Sequence, residues 1–300
     1  MKKRALFTVV LLSCLCFNIQ AQDVAVGIKG GLTIPNITPG GTKTPLSEGY
    51  SSRLAWGAGA FADIQFTKTF SLQVGLEYSG QGGKKDGMQA LPVGPIKEGF
   101  LQNISNIPGL PPGLDLGELL GAAFPAEYMY ANFKSEAKFN YLMLPVQAKF
   151  GWDLSPTSPF RFYVSAGVFG SYLLSAKRES KGTSPFYVDN GTTTFKSNAL
   201  AIIEGSPIGG MIPEEMMAMI SGALDQFQYT NNTQKITNEI KDFNFGVIGA
   251  VGFSYSFCDR HKVFIEGGGN YGLIKIQKNS ANGQNRIGCG SIMLGYSFRL

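Results

Sequence analysis

Residues 242–257 alternate apolar side chains with small or polar ones over an unusually long stretch. In an extended strand the two sets point to opposite faces. One face carries Phe243, Phe245, Val247, Gly249, Val251, Phe253, Tyr255 and Phe257, and the other carries Asn244, Gly246, Ile248, Ala250, Gly252, Ser254 and Ser256. Strands of globular domains are typically about 5–6 residues long. This length, with aromatics near both ends, is typical of a strand that crosses a membrane with its apolar face toward lipid.

The same pattern recurs in seven other segments. They are DVAVGIKGGL (23–32), AWGAGAFADIQF (55–66), FSLQVGLEYSG (70–80), NYLMLPVQAKF (140–150), RFYVSAGVFGSYLL (161–174), KVFIEGGGNYGLIKI (262–276) and SIMLGYSFRL (291–300). A soluble β-sandwich or lipocalin-like cup would turn its apolar face inward, but the other face here is rich in Gly, Ser, Gln and Lys. We therefore predict an all-β fold: an eight-stranded antiparallel up-and-down transmembrane β-barrel with two long extracellular loop insertions.

The connections alternate in length, which predicts the topology. Short turns fall at 67–69, 153–159 and 258–262; long connections fall at about 34–54, 81–138 and 178–241, with a modest one at 279–286. Long loops of such barrels lie outside the cell and short turns lie in the periplasm. Both termini are therefore expected in the periplasm.

The first 21 residues have the pattern of a secretory signal peptide, which leaves 22–300 as the barrel. Three basic residues at 2–4 precede an apolar stretch at 5–17, and Ala21 is a plausible cleavage point. A membrane-anchor helix would need about 20 apolar residues. Lipid attachment at Cys14 or Cys16 is the other alternative, but Leu12 stands where a small residue is normally required.

Composition narrows the class further. The chain has 39 Gly in 300 residues with 44% hydrophobic residues, and no stretch of about 18 apolar residues follows the leader. Loss of the leader lowers the formal net charge from +5 to about +2, so no nucleic-acid partner is indicated. The remaining cysteines, Cys258 and Cys289, are predicted at opposite ends of the barrel as two free thiols.

Several charged residues fall on the inward face of the predicted strands. They are Lys29, Asp63, Glu77, Lys149, Arg161, Glu266 and Arg299. An eight-stranded barrel is just wide enough for side chains to fill, so we expect an internal ion-pair network that plugs it, with Glu266 and Arg299 as one pair. A proton or solute path through the same residues is the alternative.

No catalytic, metal or cofactor site is indicated. His261 is the single histidine, in the short turn CDRHK, and the large loops contain none, so a nucleophile there would lack its usual base.

In the third long connection, Pro213 and two glutamates predict the start of an amphipathic helix. One face of this helix carries Met216, Met219, Ile220 and Phe227. This face either binds a peptide, glycan or lipid or packs between the two large loops.

The segments VGIKGGLTIPN, LQVGLEYSGQGGK, NYLMLPVQAKFG, FYVSAGVFGSYLLSAK, GVIGAVGFSYSF and MLGYSFRL resemble the outer-membrane β-barrel domain proteins of Bacteroidota, often called PorT-like. The resemblance covers the strands and not the two large loops, and it implies a non-enzymatic barrel in a Gram-negative outer membrane. Three functional hypotheses follow. In the first, the chain is a scaffold embedded in outer-membrane lipid whose loops bind an external ligand or envelope protein. In the second, it is a narrow channel or transporter for small solutes, or a part of a secretion assembly. In the third, it is an enzyme active at the rim of the barrel.

Overall fold

Eight long strands hydrogen-bond into a closed ring in the computed structural model, which describes residues 23–41, 43–104, 116–207, 209–258, 260–279 and 283–300. In chain order the strands are β1 (Asp23–Pro39), β2 (Ala55–Gln65), β3 (Phe70–Lys85), β4 (Lys134–Asp153), β5 (Phe160–Lys181), β6 (Phe243–Cys258), β7 (His261–Gly272) and β8 (Asn285–Arg299). Each pairs antiparallel with the next, and β8 pairs with β1 to close the ring. The predicted eight-stranded up-and-down barrel is confirmed. The predicted leader at 1–21 lies outside the described residues.

The apolar face of every strand points away from the barrel axis. Ile28 and Leu294 are each 64% exposed, whereas their inward neighbours Lys29 and Met293 are buried. A soluble protein rarely exposes a continuous apolar band of this kind. In a membrane the same band contacts acyl chains, and the closed ring satisfies the backbone hydrogen bonds of all strands.

Aromatic side chains form a belt near each end of this outer face. At the end that carries both described termini and the short turns, here called the short-turn end, Phe70 contacts Phe150 and Phe160 contacts Tyr255. At the opposite, long-loop end, Trp56 contacts Tyr78 and Tyr172 contacts Phe243. Two aromatic belts flanking an apolar band are the signature of the two membrane interfaces.

The strands run further into the long connections than the sequence pattern predicts. The loops predicted over about 81–138 and 178–241 begin after Lys85 and Lys181, because β3, β4 and β5 continue as a tall sheet. A register shift beside Tyr141 marks where β4 and β5 leave the regular barrel, and a short strand, Asn232–Lys235, pairs with the end of β5.

The second and third long connections fold together above the barrel. We call the described parts of 86–133 and 182–231 the cap. It contains a two-stranded antiparallel sheet of Met88–Pro92 with Tyr128–Asn132 and a two-residue pairing of Ser184–Pro185 with Gln228–Tyr229. Its helices are α1 (Val93–Ile104), α2 (Leu116–Gly121), α3 (Phe195–Gly205) and α4 (Glu214–Gln226). None of the helices in the described residues is long and apolar enough to cross a membrane.

The cap has a hydrophobic core of its own. Leu120 of α2, Phe195 and Ile203 of α3 and Ile220 of α4 are at most 1% exposed and belong to one contiguous cluster. Helix α3 begins where the Thr194 hydroxyl accepts a hydrogen bond from the Ser197 backbone N–H. Because the cluster joins both connections, the cap is a folded unit.

Candidate functional site

A buried ion-pair cluster closes the middle of the lumen. The Lys29 ammonium on β1 lies 2.8 Å from a Glu77 carboxylate oxygen on β3 and 2.9 Å from a Glu266 carboxylate oxygen on β7. Tyr163 donates from its hydroxyl to the other Glu266 oxygen at 3.1 Å. We call Lys29, Glu77 and Glu266 the central triad; its residues come from three non-adjacent strands and therefore bridge the barrel interior.

The predicted pair of Glu266 with Arg299 is wrong. Glu266 lies opposite Met293 in the β7–β8 ladder, six residues from Arg299, which is about 20 Å along a strand. Arg299 instead pairs with Asp23 at the short-turn end. Alternation predicted that both side chains face inward, but it contains no information on their depth.

An aromatic layer lies between the central triad and the short-turn end. Phe61, Tyr163 and Phe264 form one buried cluster. The Lys149 ammonium lies 4.2 Å from the centre of the Tyr163 ring and 3.2 Å from an Asp63 carboxylate oxygen. Lys149 thus joins the aromatic layer to the charged groups below it, through an ion pair and a cation–π contact.

Glycines make room for the lumen aromatics. Four large inward rings face a glycine directly across a strand pair: Phe264 faces Gly295, Tyr163 faces Gly252, Phe61 faces Gly27 and Phe169 faces Gly246. A Cβ on Gly295 would lie 2.1 Å from the Phe264 ring, and one on Gly252 would lie 2.4 Å from the Tyr163 ring. The rings therefore lie flat over bare backbone, an arrangement known to stabilise glycine in sheets.

Apolar side chains fill the lumen between the central triad and the long-loop end. This outer apolar layer consists of Ile37, Ala137, Phe139, Tyr141, Met143, Phe169, Leu173, Ala176, Ile236, Ile240, Ile276 and Ile287. Ile236, Ile240 and Ile276 come from the connections and cover the barrel mouth. A cavity of about 30 Å³ lies beside the central triad, which suffices for a water-sized molecule and not for a solute.

The short-turn end opens into a polar cavity of about 240 Å³, which we call the vestibule. Its floor is the aromatic layer, and its wall includes Arg161. The Arg161 guanidinium donates to Asp153 at 3.3 Å, to the Gly151 carbonyl at 3.0 Å and to the Lys68 carbonyl. The structure thus distributes the seven charged residues singled out in the sequence between the central triad and the vestibule.

The proposed binding face of α4 is corrected by the cap structure. Ile220 is fully buried in the cap core, and Met216 and Phe227 pack against that core. Met219 is 53% exposed. The face predicted to bind a ligand is therefore mostly buried in the cap core, where Phe227 contacts Phe100 of the other large loop.

No cluster of three His, Cys, Asp or Glu side chains suitable for a metal occurs within the described residues. His261 lies at the short-turn end, where its Nδ1 is 2.6 Å from the Tyr296 hydroxyl. Cys289 is a buried free thiol on the inward face of β8.

Comparison with known proteins identifies the family. A family model described as "Outer membrane protein beta-barrel domain" matches residues 20–278, whereas no curated protein matches significantly. Among the solved structures that resemble the chain, Neisserial surface protein A has 9% identity and a TM-score of 0.32, and the match covers 91% of this chain and 97% of that chain. OprG from Pseudomonas aeruginosa has 10% identity and a TM-score of 0.31, with 92% of this chain and 95% of that chain covered. The outer membrane protease OmpT from Escherichia coli has 10% identity and a TM-score of 0.42, with 94% of this chain and 98% of that chain covered. Likenesses at these values carry no information on activity.

Proposed function

We propose that this chain, which belongs to the outer membrane protein β-barrel domain family, is an anchor for its cap. In this proposal the barrel neither conducts solutes nor catalyses a reaction. The barrel holds the cap at the membrane surface, and the cap provides the surface that a ligand or partner contacts. The apolar band between the aromatic belts makes outer-membrane lipid its immediate environment.

The observation that carries the proposal is the filled lumen. From the vestibule upward, the path through the barrel meets the aromatic layer, the central triad and the outer apolar layer. A continuous polar path would require all three to rearrange. Separation of the central triad would leave buried charges without partners, which is unfavourable.

We propose that the long-loop end faces the exterior and that both termini lie in the periplasm, as is usual for barrels with short periplasmic turns. In this orientation the cap projects from the cell. Its outer surface carries the exposed side chains of Met211 and Met219 beside Glu214 and Glu215. This mixed apolar and acidic surface is where we place contact with an external ligand or an envelope protein.

The PorT-like resemblance of the strand segments supports assignment to the Bacteroidota branch of such barrels. A narrow small-solute channel or a component of a secretion assembly is the second candidate. The vestibule favours the channel, because it is a polar opening that already extends into the lumen as far as Tyr163.

Planar-bilayer recording of the purified full chain separates the two functions. The filled lumen predicts no steady openings, and heat-modifiable migration of the same sample shows that the barrel is folded. Steady, voltage-independent openings would contradict the proposal and favour the channel.

The proposed orientation is tested with a membrane-impermeant thiol reagent on intact cells. The reagent should label Met219→Cys in the cap and leave Ser158→Cys in a short turn unlabelled. The reverse labelling would overturn the orientation.

A further inference from the structure

The described wall of the vestibule carries a surplus of positive charge. Its basic side chains are Lys149, Arg161, Arg260, Lys262 and Arg299. Its acidic side chains are Asp23, Asp63 and Asp153. Because the cavity is recessed between barrel strands, this charge is less screened than it would be on an open surface.

All three carboxylates are already engaged by basic residues of the same wall. Asp63 pairs with Lys149, as described above. Asp153 pairs with Arg161 at 3.3 Å, and Asp23 pairs with Arg299. Among the described residues, neither of the two remaining basic side chains, Arg260 and Lys262, forms an ion pair with a carboxylate.

Lys262 is the most informative of these residues. It alternates with the buried residues Phe264 and Glu266, so its side chain points into the barrel, and it is partly buried. Among the described residues, none accepts a hydrogen bond from the Lys262 ammonium or pairs with it. Lys149 and Arg161 repel this ammonium, while Asp63 and Asp153, which already have partners, attract it. An inward ammonium that has no ion-pair partner of its own and lies near other cations is positioned to contact an anion that enters the vestibule.

The rest of the wall is suited to an oxyanion. Hydroxyl groups of Ser254, Ser256 and Ser297 line the cavity together with Lys262, and hydroxyls donate readily to anionic oxygens. Guanidinium groups such as Arg260 match the oxygens of phosphate with two parallel hydrogen bonds. The volume of about 240 Å³ is below the range of about 300–1,000 Å³ for sites of drug-sized ligands, which favours a small ion.

We propose that the vestibule binds a phosphate-class dianion, inorganic phosphate or a small phosphate monoester, which enters from the short-turn end and contacts Lys262 and Arg260. The site lies on the opposite side of the barrel from the cap and does not require the lumen to conduct. It therefore goes beyond the proposed anchor function, and each can fail without the other.

The test is calorimetric titration of the purified full chain in detergent with sodium phosphate, at an ionic strength held constant with sodium chloride. Saturable one-site binding is expected, and Lys262→Gln should weaken it at least about tenfold, since binding depends on a charge-assisted contact. Lys84→Gln, which removes an exposed lysine at the long-loop end, is the matched control and should leave the affinity unchanged.

A second measurement keeps the test independent of folding defects. Phosphate that binds only the folded barrel should raise its unfolding temperature, and this rise should be lost in Lys262→Gln even if the variant folds normally without phosphate. Sulfate, which has the same shape and charge, should compete. The proposal is overturned if no saturable binding occurs, if Lys262→Gln binds as tightly as the wild type, or if chloride at matched ionic strength displaces phosphate.

Discussion

The Lys29 ammonium donates to the Glu266 carboxylate across the barrel interior at 2.9 Å, although the two residues are 237 positions apart in the chain. Strand β8 separates β1 from β7 in the ring, so this bond does not belong to any strand ladder. It links two strands that are not hydrogen-bonded to each other and, with the Lys29–Glu77 pair, defines the level at which the lumen is closed by charge.

Removal of Lys29 should therefore strongly destabilise the barrel. Lys29→Met leaves Glu77 and Glu266 buried together without a cation, and we expect a loss of about 3–5 kcal/mol in the free energy of unfolding. Urea unfolding in lipid vesicles, followed by heat-modifiable migration, measures this loss. Lys134→Met, which breaks an exposed pair with Asp86, is the control and should cost at most about 1 kcal/mol. Equal effects of the two variants would show that the central triad does not stabilise the barrel.

Gly295 should be intolerant of even one added methyl group. Gly295→Ala forces the Phe264 ring out of its place against the backbone, with an expected cost of about 1–3 kcal/mol. Gly170→Ala, on an outward position with nothing within 4 Å of the added Cβ, should be nearly neutral. In a double-mutant cycle, Phe264→Ala should relieve part of the Gly295→Ala cost. Strict additivity of the two substitutions would contradict the proposed ring contact.

The strand pattern predicted the barrel well because one physical rule, the period of two, determines which face each side chain occupies. The same rule fixed Lys29, Glu77 and Glu266 as inward residues. It does not predict which of them meet, since pairing depends on strand stagger, and the predicted pair of Glu266 with Arg299 is wrong for this reason. Two glycine-aromatic pairs, Gly27 with Phe61 and Gly295 with Phe264, would have been identifiable only once the register was known.

The cap was less predictable for a different reason. Helix α4 was correctly placed from Pro213 and its amphipathic pattern, but a pattern does not tell whether an apolar face meets protein or solvent. The core that buries Ile220 includes Leu120, which lies about a hundred residues earlier in the chain. Predicting that contact requires tertiary information that local sequence does not contain.

Phe195 should be essential to the cap and dispensable for the barrel. Its ring lies 4.4 Å from that of Phe124 and 5.1 Å from that of Phe227. Phe195→Ala should destabilise the cap by about 3–5 kcal/mol and make it sensitive to protease. The barrel should remain heat-modifiable, and Met219→Ala should leave the cap resistant. Unchanged resistance of the Phe195→Ala cap would show that the two loops are not held by this core.

The first long connection should become more stable as the pH rises above 8. Lys85, beyond the apolar band at the long-loop end, donates to the Leu46 carbonyl at 2.9 Å. Burial, and secondarily repulsion by Arg178, lowers the pKa of its ammonium from 10.5 to about 8, against an opposing attraction by Glu48. Between pH 8 and 10.5 the unfolded loop therefore binds more protons at Lys85 than the folded loop does. Because of this difference, folding of the loop becomes more favourable as the pH rises from about 8 to 10.5. Below pH 8 the stability of the loop does not depend on the titration of Lys85.

Chymotrypsin cleavage beside Tyr50, whose ring lies 4.2 Å from the Lys85 nitrogen, measures this effect. The cleavage rate, divided at each pH by that of an unstructured peptide with the same sequence, should fall between about pH 8 and 10.5. Lys85→Met should remove this dependence, whereas Lys84→Met should retain it. A normalised rate that is flat in the wild type would contradict the assigned environment of Lys85.

The reactivity of Cys289 tests the filled lumen most directly. Its thiol is buried on the inward face of β8, level with Asn270 of β7, and any reagent must pass the outer apolar layer or the aromatic layer to reach it. In a folded Cys258→Ser variant, a small thiol reagent should modify Cys289 at least about a hundredfold more slowly than in urea, because opening must precede reaction. As a control, Ser158→Cys places a thiol in an exposed turn of a chain that lacks both native cysteines. This thiol should react as fast in the folded barrel as it does in urea. Rapid modification of Cys289 in the folded barrel would show that the lumen is open and would contradict the account.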